Sequence, residues 1–213
     1  MVEGPLDEFW FTTSPDWFSR MVLMGLIAVI PIVGSIVLYG WTLVLVERLR
    51  GRWRELPPPG FDYIERGVAP FVVLLVYGLG ALFVVASLVG LAVVSAIAVH
   101  PLIPLAVLLG FVAFALLLAG WGVSFYCFGA VLLLSDRQGI ERALNPRTIW
   151  RTARANHRVS VRVGVTYLVC TVVLAVITIP LGLVIPFAGL LVGLALPAVF
   201  AILAPALAGF EVS

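Results

Sequence analysis

Residues 67–135 read GVAPFVVLLVYGLGALFVVASLVGLAVVSAIAVHPLIPLAVLLGFVAFALLLAGWGVSFYCFGAVLLLS, 69 positions without one Asp, Glu, Lys or Arg. A stretch of that composition has no face to turn to water. A helix needs ~20 consecutive apolar residues to cross the ~30 Å hydrocarbon layer, so the run holds two crossings. Their break falls at His100-Pro101, with Pro104 close behind. Working outward, residues 21–46 and 163–207 are apolar stretches of the same kind. The predicted class is an all-α, polytopic integral membrane helix bundle. Five transmembrane helices are expected, with six as the alternative, and proline breaks the first and last segments.

Composition agrees. Hydrophobic residues make up 62% of the 213 and charged residues 11%, less than half the share in a soluble domain. No polar segment is long enough to fold by itself, so residues 1–213 read as a single integral membrane domain. All thirteen basic residues are arginine, which a GC-rich genome explains more simply than selection for guanidinium chemistry. The net charge of +2 is too small to point to nucleic acid. Cys127 and Cys170 stand singly in apolar runs; they carry neither metal-ligand nor disulfide spacing and read as packing residues. The start, MVEGPLDEFW, is acidic and lacks a basic n-region and an A-x-A site. A cleaved signal peptide is not expected.

Residues 1–20 form an interfacial N-terminal segment in which Phe9, Trp10, Phe11, Trp17 and Phe18 cluster ahead of the first apolar run. Indole rings favour the headgroup level, and Ser14-Pro15 predicts a helix start with Ser14 as its cap. Within residues 21–46, Pro31 interrupts the helix ladder. One bent span is the expected form; two half-helices dipping in and back out are the alternative. The central runs, 67–99 and 102–134, would each be about 50 Å long as straight helices, some 20 Å more than the hydrocarbon. Tilt, projection, or bends at glycines such as Gly78, Gly80, Gly120 and Gly122 must absorb the excess. The last stretch, 163–207, suits two crossings with a turn near Ile179-Pro180-Leu181-Gly182.

Two polar loops separate these runs. Residues 47–66 mix five arginines with four carboxylates around Pro57-Pro58-Pro59, a stiff extended connector. Residues 136–162 carry seven arginines against Asp136 and Glu141. Positive excess in short loops marks the cytoplasmic side, and the two crossings between the loops return the chain to the same side. Both are predicted to be cytoplasmic. In the second loop Asn145-Pro146 opens a helix, with Ile149, Trp150 and Ala153 on one face. Arg147, Arg151, Arg154 and Arg158 lie elsewhere on it and become candidate contacts to anionic lipid headgroups.

Val29-Ile30-Pro31-Ile32-Val33-Gly34 recurs in altered form as Val184-Ile185-Pro186-Phe187-Ala188-Gly189. Proline-broken segments in corresponding halves mark repeat-built transporters, which makes Pro31, Gly34, Pro186 and Gly189 candidate break sites. The order Ser14-Pro15-Asp16-Trp17, Ile30-Pro31-Ile32-Val33-Gly34, Tyr39-Gly40-Trp41 and Arg48 resembles the DUF4013 family of prokaryotic membrane proteins. Leu56-Pro57, Phe61-Asp62 and Arg66-Gly67 continue the pattern, as do Trp150, Arg151 and Asn156, then Ile185-Pro186 with Gly189. Three consecutive prolines depart from it. The resemblance implies a multi-span protein of a prokaryotic inner membrane and carries no activity with it.

Candidate chemistry is sparse. His100 stands beside Pro101 in a predicted turn with no second ligand, and His157 lies among arginines. Hydroxyls inside the apolar runs, among them Tyr39, Thr42, Tyr77, Ser87, Tyr126, Tyr167 and Thr171, are expected to bond between helices, each worth ~1 kcal/mol or less. The spans lack the charges that coupled transporters keep for ions. Small residues spaced four apart, Gly189/Gly193, Ala115/Ala119 and Ala86/Gly90, point to close helix packing. No catalytic residue, metal ligand or cofactor is expected. The role that fits is a non-enzymatic interaction or accessory subunit, in contact with membrane lipids and with a second copy or a membrane-protein partner. The alternative is a permease or lipid-handling protein for an apolar or lipid-like solute.

Overall fold

Pro31 and Ile32, with its positive φ of 64°, reverse the chain inside the first apolar run. In the computed structural model, which describes residues 10–12, 14, 16–53, 55–98, 103–184 and 188–212, helix α1 (Trp17–Ala28) ends just before this point. Helix α2 (Val33–Arg50) begins just after it. Gly34 lies so close beneath the end of α1 that a Cβ there would overlap the carbonyls of Ile27 and Ala28. Five further helices follow: α3 (Ile64–Ala98), α4 (Ile103–Ala143), α5 (Pro146–Ala155), α6 (His157–Val184) and α7 (Ala188–Ala208).

Contacts with α7 fix the direction of the first two helices. Along α1, Gly25 abuts Leu194 and Val29 abuts Gly193, while Trp10 upstream donates to Ala201 O at 3.3 Å. Along α2, Tyr39 stacks on Phe200 and Arg50 reaches Ala208 O at 3.0 Å. Numbers fall along α7 in the first case and rise in the second, so α1 and α2 are antiparallel. The expected single bent span is therefore replaced by its alternative, a helical hairpin. Its helices have 12 and 18 residues, roughly 18 and 27 Å, both short of the hydrocarbon thickness. Among the described residues four helices, α3, α4, α6 and α7, are long and apolar enough to cross a membrane. The fifth and sixth crossings of the sequence reading rested on α1 and α2.

Helices α3 and α4 form a long antiparallel pair, 35 and 41 residues. Both run as continuous helix through Gly78, Gly80, Gly120 and Gly122, the glycines named as one of three ways to absorb the excess length. The break comes instead at Gly139 (φ 81°, ψ 173°), a backbone conformation open to glycine alone. It folds the following residues back along α4, which brings α5 beside Tyr126. The expected turn at His100-Pro101 lies outside the described residues. Helix α6 continues through Pro180 to Val184, so the turn expected near residues 179–182 is not there. The cap of α1 also shifts: the helix starts at Trp17, and Ser14 contributes a backbone turn through its carbonyl to Trp17 N at 3.3 Å.

The core sits at one end of the molecule. Trp41, Leu43, Leu45, Leu132, Leu133, Leu134, Leu203 and Leu207 are fully buried there. The distal halves of α3, α4 and α6 are not: Phe83 is 75% exposed, Phe111 71% and Val176 66%. Acyl chains satisfy such surfaces, since lipid is as apolar as the side chains. At the packed end α2 and α3 cross on a glycine pair. A Cβ at Gly40 would overlap Tyr63 O, and one at Gly67 would overlap Ile36 O.

Arginine and asparagine lock the same end. Arg50 donates to the carbonyls of Ala208 and Phe210 at 3.0 and 2.7 Å, closing the C-terminus of α7. Burial, then neighbouring Arg137, weakens the hold of Arg50 on its proton; the carbonyl contacts are what recover the lost hydration. Arg66 bridges Glu47 and Asp136, so the two polar loops meet at one end, as the even number of crossings between them requires. Asn156 takes Glu211 by both backbone groups, at 2.7 and 2.9 Å.

Candidate functional site

Helix α5 starts where the sequence placed it. Asn145 Oδ1 accepts from Arg147 N at 3.0 Å, with Pro146 in the first turn. The helix ends at Ala155 and is separated from α6 by Asn156 (φ −104°, ψ 37°). It is therefore an element of its own and not an upright extension of the next span. Its inner face is Ile149, Thr152 and Ala153. Trp150, expected on that face, sits at its edge, 48% exposed, with its ring 5.6 Å from Tyr126. Arg147, Arg151, Arg154 and Arg158 are all exposed, and among the described residues none forms a salt bridge. Arg66, by contrast, has two carboxylates.

Tyr126 organises this corner. Its hydroxyl donates to Ala153 O at 3.2 Å and touches His157 Nδ1 at 3.1 Å. Gly122, Val123, Tyr126, Trp150, Arg154 and His157 line a hollow of about 360 Å³. Nothing lies within 4 Å of a Cβ built on Gly122.

A second hollow, about 800 Å³, opens between the α3–α4 pair and α6. Its walls are apolar residues of α3 and α4 around Gly78, Gly80 and Gly120, and its floor is Tyr39, Phe128 and Tyr167. The floor belongs to an aromatic cluster that ties four helices together. Tyr39 meets Phe200 at 5.9 Å, Phe128 meets Tyr167 at 4.8 Å, and Phe125 meets Tyr167 at 5.2 Å. Ring pairs at these separations add roughly 0.5–1.5 kcal/mol each beyond area burial. The sequence marks Tyr39 and Tyr167 as hydroxyls, and Tyr39 as part of the family pattern, but not as partners in a cluster; no spacing rule connects positions so far apart in the chain.

The proline turn offers less. Pro31 lies at the tip of the α1–α2 hairpin, and Gly34 is closed against α1. The nearby hollow is lined by Leu23, Leu26, Ile27, Ile30, Pro59, Gly60 and Phe61, with no polar side chain among them. Pro186 lies outside the described residues, and Gly189 falls in the first turn of α7. Small-residue packing is divided. Gly193 and Gly25 do receive close neighbours, but Ala115, Ala119, Ala86 and Gly90 face outward. Thr42, Ser87 and Thr171 bond carbonyls one turn back in their own helices. A short hydroxyl reaches its own ladder more readily than a neighbour. The longer tyrosines make the cross-links, Tyr77 to Leu144 O at 2.8 Å among them.

A family model described as a protein of unknown function (DUF4013) matches residues 23–194. This chain belongs to DUF4013. The match spans the second half of α1, then α2, the long α3–α4 pair, α5, α6 and the start of α7, so the three hollows of this DUF4013 protein lie within it. No curated protein and no solved structure matches.

Proposed function

We propose that this DUF4013 protein is a non-enzymatic interaction or accessory subunit of a prokaryotic inner membrane. Its groove receives an apolar segment of a membrane-protein partner. The observation that supports this reading is the groove itself. It opens sideways at the level of the exposed distal helices, has an aromatic floor, and its lining contains no carboxylate, imidazole or guanidinium. Such a surface rewards shape and small-residue contact, which is how helices associate in lipid. The arginine-rich end faces the cytoplasm in this reading, with α5 against the anionic leaflet surface.

Photo-crosslinking from Ala81 on the groove wall tests the reading, with Val176 on the outer face of α6 as control. A discrete protein adduct from Ala81, absent from Val176, is expected in native membranes. Lipid adducts alone from both positions would overturn it in favour of the lipid-handling alternative.

A further inference from the structure

The hollow beside α5 has a chemistry of its own. One wall is the Trp150–Tyr126 ring pair, another is formed by the Arg154 and His157 side chains, and the upper rim is Gly122 and Val123. Tyr126 fixes the imidazole through the 3.1 Å contact to Nδ1 and fixes α5 through Ala153 O. One permanently charged residue, Arg154, thus stands at the edge of a largely apolar, preformed hollow. From its other end an apolar surface leads away. On α6, Val161 (41% exposed) and Val165 (54%) follow His157 on the same helix face. On α4, Ala119 and Ala115 continue the open face of Gly122. Donors below, an aromatic wall at the boundary and bare apolar helix above is the polarity sequence of one phospholipid molecule.

Charge complementarity decides the occupant. Four exposed arginines in this corner meet no carboxylate in the described structure. A zwitterionic headgroup would bring a cation of its own against them. We infer that this corner holds one anionic phospholipid of the adjacent leaflet, its phosphate at the Arg154 edge of the hollow, with Trp150 as the wall and an acyl chain laid over Gly122. The inference rests on the reading that α5 lies at the leaflet surface, and it adds a defined site to that surface.

The test uses full-length protein reconstituted in mixed phosphatidylcholine–phosphatidylglycerol nanodiscs, followed by detergent release and native mass spectrometry of retained lipid. Wild type is expected to keep one phosphatidylglycerol. Arg154→Gln should retain about fivefold less, the equivalent of ~1 kcal/mol per surface arginine. Gly122→Leu keeps every charge and fills open space, so it should fold with unchanged melting and lose the lipid as well. Arg151→Gln removes an equal charge from outside the hollow and should retain lipid like wild type. If Arg151→Gln and Arg154→Gln fall together while Gly122→Leu retains lipid, a diffuse basic surface is the right description and the site is wrong. If phosphatidylglycerol is retained no better than phosphatidylcholine in any form, the surface reading itself fails. Displacement of the retained lipid by inorganic phosphate would instead identify a site for the free anion and overturn the lipid assignment.

Discussion

At Gly67 the fold depends on the absence of a single carbon. The α2–α3 crossing brings Ile36 O to where a Cβ would be, and both partners are backbone, which cannot rotate away. Gly67→Leu is expected to lower stability by about 1–3 kcal/mol or more, read as a fall in the melting temperature of the detergent-solubilised protein. Gly78→Leu, in open space, should leave melting unchanged. Equal losses at both positions would show that helix propensity, not the crossing, decides the outcome. Arg66 poses a second residue-scale question. Its pair with Asp136 is mostly buried while Glu47 is 67% exposed. A double-mutant cycle should therefore find most of the coupling with Asp136, because exposed pairs contribute little. Legibility at this scale was uneven. Asn145-Pro146 and Pro31 were readable because capping and proline chemistry are local. The Gly40–Gly67 contact and the Tyr39–Phe200–Phe128–Tyr167 cluster were not, since each joins helices whose pairing the sequence does not state.

Among the elements, the α1–α2 hairpin departs most from the sequence expectation. Hydropathy sees only that residues 21–46 are apolar; it cannot tell one bent span from a reversal, because both are built from the same apolar residues. What decided the reversal was Ile32 adopting φ 64°, together with Gly34 permitting the second helix to start against the end of the first. A consequence follows for topology. Residues near the start of α1 and the end of α2 should share a side of the membrane. With Cys127 and Cys170 replaced by Ser, Ser19→Cys and Arg52→Cys, both exposed positions, are expected to react with an impermeant maleimide from the same face. Labelling from opposite faces would restore the bent span. For α5 the expected loss is smaller: Asn145→Ala removes the cap bond to Arg147 N, worth ~1 kcal/mol. Unfolding should reach Trp150 fluorescence earlier than the global transition.

Over the whole molecule, packing is graded from one end to the other, and the grading predicts where stability resides. The buried apolar residues of α2, the 127–134 stretch of α4 and the 199–207 stretch of α7 share one end, which Arg50, Arg66 and Asn156 also tie together. Beyond it the long helices rely on their surroundings: only 6% of the most apolar stretch of α3 is buried within the chain, against 44% for α7. Composition announced a membrane protein but not this asymmetry, because 69 uncharged positions look alike whether lipid or protein covers them. Hydrogen exchange separates the two cases, since protection tracks the free energy of local opening. Amides in 128–134 and 199–204 should be the slowest in both detergent and nanodiscs, as their cover is the protein itself. Those in 79–94 of α3 and 105–118 of α4 should exchange measurably faster in detergent than in a bilayer, because only the solvent of their exposed faces has changed. Equal protection of proximal and distal α3 in detergent would mean that some protein surface covers the distal pair, and the packed end would no longer be the seat of stability.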